Sequence, residues 1–304
     1  MESRKYQFTT ILNCNMCGAS NAHHKILGKR LNQSQGKNPK SKTGITTTVV
    51  KCKSCNLIFS NPQPTPFDIQ DHYGIPPESY WNEEYFISKD DHFINEINIL
   101  KKLMHLSQGL KALDIGAGIG KSMIALEKIG FETCGLEPSE SFYKKAIEKM
   151  KIDPEKLKLG MIEEIDYKEN EFDFITFGAV MEHLYSPSKS IEKALKWLKP
   201  NGIIHIEVPS SHWLINRLIN FYYKLRGTDY VGNISPMHPP YHLYEFGLDS
   251  FKQHGEKNNY EVIFYEYHVC ETYMPKLLNI FVKPYMKWTN TGLQLVIWLR
   301  KKEK

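Results

Sequence analysis

Four cysteines stand as two tight pairs, Cys14-Asn-Met-Cys17 and Cys52-Lys-Ser-Cys55, a spacing that suits metal ligation. Two Cys-x-x-Cys knuckles supply the four thiolates of a tetrahedral zinc site, and Gly18 and Asn56 follow where each knuckle must turn. Four protein ligands leave no open coordination position, so the zinc is expected to be structural. Neither pair lies in a strand-to-helix context, which argues against a redox dithiol. Cys134 and Cys270 sit in apolar, strand-like runs and are expected to be buried small hydrophobes.

A second segment, Leu113-Asp-Ile-Gly116-Ala-Gly118-Ile-Gly120, follows an apolar run and opens a helix near Lys121. Glycines belong where the backbone turns tightly and a ligand approaches the main chain with no Cβ in the way. Only Ile119 separates Gly118 from Gly120, whereas a dinucleotide fingerprint needs two residues there. Ile115 occupies the position where a phosphate-cradling loop ending in Gly120-Lys121-Ser122 needs glycine. Glu137 ends the next apolar run, where a carboxylate can accept both hydroxyls of a ribose. A third group is Met237-His238-Pro-Pro-Tyr241-His242-Leu-Tyr244-Glu245-Phe246, and a fourth is Glu182-His183. Histidine titrates near neutrality, so His242, His238 and His183 are candidate proton acceptors. His183 can equally fasten its loop, and Tyr241, Tyr244 and Glu245 can orient an acceptor or pack a lid.

These residues need a scaffold, and the pattern supplies one. Short apolar strands are expected at Lys111 to Ile115, Glu132 to Leu136, Lys156 to Leu159, Phe172 to Phe177, Gly202 to Val208, Val262 to His268 and Leu293 to Leu299. Helices alternate with the earlier ones, as in a parallel sheet covered on both faces. Gly130 ends one helix, Glu137-Pro-Ser139 starts the next, and Pro200-Asn-Gly202 closes the one through Ile191 and Trp197. The fold class is therefore α/β, a doubly wound, seven-stranded Rossmann-like sheet with a small N-terminal zinc ribbon.

The domains expected are residues 1–66 for the ribbon, 67–110 for a linker with an amphipathic helix from Asp91 to Leu106, and 111–304 for the large domain. Asn61-Pro-Gln-Pro-Thr-Pro66 reads as a stiff extended connector. Residues 210–246 form a lid or acceptor insertion, its apolar stretch Trp213 to Tyr230 serving as a lid or a homodimer contact.

The chain has 304 residues, 41% hydrophobic and 24% charged, a folded composition rather than a disordered one. Its net charge of +5 favours an anionic partner only weakly. No apolar run approaches a bilayer's thickness, and Met1 to Thr10 lacks a signal-peptide core, so a cytoplasmic protein with no membrane span is expected.

The acid-then-glycine turn resembles the first motif of class I S-adenosylmethionine-dependent methyltransferases. Phe177-Gly-Ala-Val-Met-Glu182-His183 and Pro200-Asn-Gly202 resemble the family's later segments, in order, across residues 111–209. The resemblance implies that Asp114, Gly116, Gly118, Gly120 and Glu137 bind the cofactor and that Met161 and Ile162 flank its adenine. A carboxylate near the turn suits a cofactor that is a sulfonium cation with no phosphates. The two knuckles followed by this core resemble the bacterial sugar C-methyltransferases and related glycan or small-molecule methyltransferases with an N-terminal zinc domain. In the sugar enzymes a motif like His242-x-x-x-Phe246 carries the proposed base.

The resemblance implies a small polar acceptor, a sugar, nucleotide sugar or glycan. Oxygen is favoured over carbon because the larger sugar C-methyltransferases carry a substantial C-terminal domain that this chain is too short to hold.

Two rivals remain at this stage. One is an RNA methyltransferase gripping through Lys29, Arg30, Lys37, Lys40 and Lys42. The insert lacks aromatics for base stacking, and Glu78, Glu83, Glu84, Asp90 and Asp91 oppose a continuous basic face, so nucleic acid is disfavoured. The other is a non-catalytic zinc-bearing scaffold, which intact Asp114, Gly116, Gly118 and Glu137 oppose.

Overall fold

The computed structural model describes residues 5–30, 45, 47–73, 81–234, 241–270, 272 and 274–303. The first third holds β1 (Tyr6–Thr9), β2 (His24–Arg30), β3 (Thr48–Cys52), β4 (Ile58–Asn61), β5 (Gln63–Pro66), α1 (Gln70–Tyr73) and α2 (Ile94–Leu103). The middle runs β6 (Lys111–Ile115), α3 (Lys121–Lys128), β7 (Glu132–Glu137), α4 (Glu140–Glu148), β8 (Leu157–Leu159), β9 (Phe172–Gly178), α5 (Pro187–Trp197) and β10 (Leu198–Pro209). Then follow α6 (Leu214–Leu225), β11 (Tyr230–Val231), β12 (Tyr244–Glu245), α7 (Leu248–Asn258), β13 (Tyr260–His268), α8 (Lys276–Trp288) and β14 (Gln294–Lys301).

The seven expected strands all form, in the sheet order β13-β14-β10-β9-β6-β7-β8. Two compact units divide the chain: one of residues 1–67, 179–189 and 206–302, the other of 68–178, 190–205 and 303–304. These limits differ from a division at residues 66 and 110.

In the second unit β6 pairs in parallel with β7 on one side and β9 on the other, and β7 with β8. The chain leaves β6 in one direction and returns with β9 to its other side. The ends of β6 and β9 thus form a topological switch point, where open α/β sheets bind ligands. Phe172, Phe174, Ile175 and Leu113 are buried, as strands covered on both faces require. The amphipathic helix is shorter than its apolar pattern suggests, because Phe93 has a left-handed φ of 64° and the helix begins only at Ile94.

In the first unit the N-terminal strands recruit partners from far along the chain. A five-stranded sheet has the order β11-β2-β3-β4-β12, with β11 parallel to β2 and β12 antiparallel to β4. Val49, Ile58, Val231 and Ile234 form its buried cluster. The connector expected at residues 61–66 is instead largely strand, since β5 pairs antiparallel with β1 in a two-stranded sheet. Pro64 and Pro66 are tolerated there because an edge strand need not donate on both sides. No helix among the described residues is long and apolar enough to cross a membrane.

Candidate functional site

The glycine turn leaves β6 at the switch point. Gly116, Gly118 and Gly120 have φ of 72°, 56° and 81°, a region that L side chains avoid. A Cβ on Gly118 would enter open space, whereas one on Gly120 would lie 2.7 Å from the Ile152 side chain. Gly118 therefore leaves the approach clear, and Gly120 is fixed by packing. Beside the turn, Asp114 and Glu137 are both 5% exposed. Glu137 accepts hydrogen bonds from the Gly118 and Ser139 N–H groups, at 2.7 and 2.8 Å, which ties the two strand ends together. Burial raises Glu137 to about 7 against the pull of those N–H groups, and burial plus the charge of Glu137 raises Asp114 to about 8. A cationic or hydroxyl-bearing ligand would favour their ionised forms. Ile162 is buried and Met161 half-buried, on the turn that follows β8 and holds Gly160 against the Glu137 carbonyl at 3.0 Å.

Sequence reasoning missed two contributors to this region. Gln70 of α1 donates to the Pro138 carbonyl at 2.9 Å and accepts from the Glu140 N–H at 3.2 Å, so it clasps the turn after β7. Trp81 packs on Phe142 with centroids 5.3 Å apart, and Lys121 lies 4.6 Å over the Tyr85 ring. The clustering of aromatics at residues 80–86 was the available signal.

In the first unit the four cysteines converge. All are buried and free of disulfides, their sulfurs lie within 4.8 Å of one another, and Cys14–Cys55 and Cys17–Cys52 are 3.5 and 3.6 Å apart. Sulfurs about 2.3 Å from a shared zinc stand about 3.8 Å apart, so the donor set fits that ion. Burial pushes the Cys17 thiol up to about 11, and hydrogen bonding with Cys14 drives Cys55 well above the thiol range. Such crowded thiols ionise together only around a cation. The knuckles turn as their sequences imply, with Gly18 and Asn56 at φ of 72° and 63°. One face of α7 grips them: Asp249 accepts from Asn56, Ser250 donates to the Cys55 carbonyl, Gln253 to that of Ser54 and Lys257 to that of Cys17.

The same unit brings Glu182, His183 and His242 together, their ligand atoms within 4.8 Å of one another. The rings of His183 and His242 meet edge to face at 4.7 Å, and His242 Nε2 lies 3.9 Å from Glu182 Oε1. His183 Nδ1 is 2.9 Å from the Tyr241 carbonyl, and the Leu243 N–H donates to the Glu182 carbonyl at 2.7 Å. Burial raises Glu182 to about 8. His238 lies outside the described residues.

Several sequence candidates have other employment. Glu245 is buried and accepts from Asn216, Asn233 and the Ile234 N–H, and Tyr244 bonds Asn15 and the Tyr185 carbonyl, so both build the scaffold. Arg30 is fully buried with Nε donating to the Ile234 carbonyl at 2.6 Å, and Lys29 pairs with Asp229 at 2.9 Å. Lys37, Lys40 and Lys42 lie outside the described residues. Cys134 and Cys270 are half-buried rather than fully buried.

A family model described as a methyltransferase domain matches residues 91–264. A ubiquinone biosynthesis O-methyltransferase of Bradyrhizobium diazoefficiens is 30% identical over 127 residues, covering 40% of this chain and 47% of that protein. One of Coxiella burnetii is 28% identical over 165 residues, covering 52% of this chain and 67% of its own length. The chain thus matches about half to two thirds of the length of these relatives. Both are named for oxygen methylation in ubiquinone biosynthesis, whereas the sequence resemblance pointed to sugar methyltransferases. Among solved structures, a chain from the complex of the Haloferax volcanii Trm112 methyltransferase activator with a methyltransferase superposes with a TM-score of 0.53 at 13% identity, covering 76% of this chain and 100% of that one. A likeness at that identity is one of fold.

Proposed function

This chain belongs to the methyltransferase-domain family, and from that premise we propose that it transfers a methyl group from S-adenosylmethionine to a hydroxyl oxygen of a small polar acceptor. The observation that carries the reading is the glycine turn at the switch point, with positive φ at all three glycines and two buried carboxylates beside it. The cofactor supplies an activated methyl on a sulfonium. Glu137 accepts the ribose hydroxyls, Asp114 faces the cationic amino-acid end through the turn, and Met161 and Ile162 flank the adenine. His242, in its cluster with Glu182 and His183, accounts for the acceptor's proton. Cys14, Cys17, Cys52 and Cys55 hold a structural zinc that fixes the knuckles to α7.

Oxygen is favoured over carbon by the names of the curated relatives. A sugar or glycan acceptor rests on the resemblance of the knuckle-plus-core arrangement alone. The burial of Arg30 within the fold weighs against an RNA grip.

The test is calorimetric titration with S-adenosylhomocysteine, with ATP and NAD as controls and Asp114→Ala and Glu137→Ala as variants. Binding at about micromolar strength that both variants weaken is expected. Silence in a folded, zinc-loaded sample would return the chain to the scaffold reading.

A further inference from the structure

Three features of the Glu182–His183–His242 cluster go beyond what a proton acceptor needs. The first is the donor set: two imidazoles and one carboxylate, contributed by two segments of one unit and within 4.8 Å of one another. Ligands bound at about 2.0–2.2 Å to a shared cation stand about 3–3.5 Å apart, so side-chain shifts of about an ångström would complete the site. The second is tautomer control. A carbonyl can only accept, so the 2.9 Å contact to Tyr241 puts the proton of a neutral His183 on Nδ1 and the lone pair on Nε2. Metal-ligating histidines are oriented in this way, by donating their other N–H to a carbonyl or carboxylate.

The third is Glu182 Oε2, a buried carboxylate oxygen with no hydrogen-bond partner among the described residues. Its backbone is pinned by Leu243, the residue next to His242, so the two ligand-bearing segments are held in register before any ligand arrives.

We propose that Glu182, His183 and His242 form a second metal site, which takes one divalent transition-metal cation of the zinc or cobalt type and leaves a coordination position open to the acceptor. The inference rests on the methyl-transfer reading for its purpose, though not for its geometry. The acceptor's hydroxyl oxygen coordinates the cation, which lowers its pKa, and the hydroxyl proton leaves to solvent. The oxygen lone pair then forms the new O–C bond while the C–S bond of the sulfonium breaks and its electron pair stays on sulfur, giving the neutral thioether. His242 thus acts as a ligand, removing the proton through the cation rather than by taking it.

The experiment uses the full chain with one equivalent of zinc in the cysteine site, verified by elemental analysis, and titrates Co²⁺ by calorimetry and visible absorbance. One further equivalent is expected, at a Kd of about micromolar, with the weak d–d bands of nitrogen and oxygen ligation and no intense thiolate charge transfer. Glu182→Gln and His183→Gln should each weaken it by about tenfold or more with the zinc retained. His242→Gln, in a partly exposed side chain, serves the same test where the buried Glu182 variant fails to fold.

No binding beyond the cysteine site, or equal binding in the folded variants, overturns the metal site and leaves His242 as a proton acceptor. S-adenosylhomocysteine titrated into the same samples separates the two readings. Its binding without cobalt binding sinks only the metal site, and cobalt binding without it sinks only methyl transfer.

Discussion

The four-cysteine cluster and the Glu182–His183–His242 cluster both gather side chains of metal-ligand type in the same unit, but they are built in opposite ways. Each cysteine pair is positioned by its own knuckle, with Gly18 donating to the Cys14 carbonyl and Asn56 to that of Cys52. Only the meeting of the two knuckles is long-range, and α7 secures it through Asp249, Ser250, Gln253 and Lys257. The second cluster is brought together by bonds between two distant segments, Leu243 N–H to the Glu182 carbonyl and His183 Nδ1 to the Tyr241 carbonyl. Four soft sulfurs complete a closed shell, whereas three nitrogen and oxygen ligands leave room for a reactant. The comparison teaches that a closed donor set suits holding the fold, whereas an open one suits the chemistry proposed for it.

Breaking the closed site should have the largest effect. Cys52→Ser is expected to abolish zinc retention and with it folding free energy on the order of 10 kcal/mol in the first unit. Calorimetric unfolding with elemental analysis checks this, and a variant that melts within a few degrees of wild type would refute a structural metal.

The open site should break differently. His242→Ala is expected to lower turnover by about 10²–10⁴-fold while the cysteine zinc and the melting profile stay in place. Turnover within about threefold of wild type would remove His242 from the chemistry.

The glycine turn sharpens the contrast, because its acid braces the turn and is also the proposed ribose ligand. Glu137→Ala is expected to weaken S-adenosylhomocysteine binding by about 2–3 kcal/mol, or about 30–150-fold, through lost charge-assisted hydrogen bonds. Unchanged affinity would leave Glu137 as a brace for Gly118 and Ser139 only.

A pH series adds the sign. The folded-state values of Glu137 and Asp114, about 7 and about 8, lie above the unfolded range. Their contribution to the ligand-free fold is therefore fully present below about pH 4 and is lost progressively as pH rises from there through about 7 to 8. A ligand that needs ionised Glu137 gains affinity in that same rise, about tenfold per unit up to about pH 7 and little beyond. Titrations at about pH 5.5, 6.5 and 8 that show no slope would contradict a buried, protonated acid in the free protein.

Asn56→Ala should be the smallest perturbation, about 1 kcal/mol, since it loses the bond to Asp249 and strains a left-handed residue without removing a sulfur. Chemical denaturation measures it, and a loss of several kcal/mol would mean that the knuckle lacks the support α7 is credited with.

Much of this was readable along the chain because its determinants are local. The Leu113-to-Gly120 turn, Glu137 at the end of β7, and the two knuckles each declare themselves within a few residues. The sheet strands were legible too, since Phe172 to Phe177 and Ile203 to Val208 are continuous apolar runs. What escaped was pairing. β11 and β12 are two residues long and carry no periodicity, so nothing in Tyr230-Val231 or Tyr244-Glu245 announced that they flank β2 and β4. Arg30 looked like a solvent-facing cation and Glu245 like a site acid, yet both are buried in the scaffold. Gln70 gave no sign that it clasps the turn after β7.

By itself, then, the sequence determined the methyltransferase-like strand–turn–helix order, the acid-and-glycine turn and the two cysteine knuckles, because each rests on short-range spacing and on side-chain chemistry. The tertiary structure alone decided that the N-terminal strands are completed by Tyr230–Val231 and Tyr244–Glu245, that α7 clamps the knuckles, and that Glu182, His183 and His242 share one place. The reason is physical: a small cysteine-stapled segment cannot bury enough apolar surface alone, so it is completed by whichever distant strands and helix faces the chain brings to it.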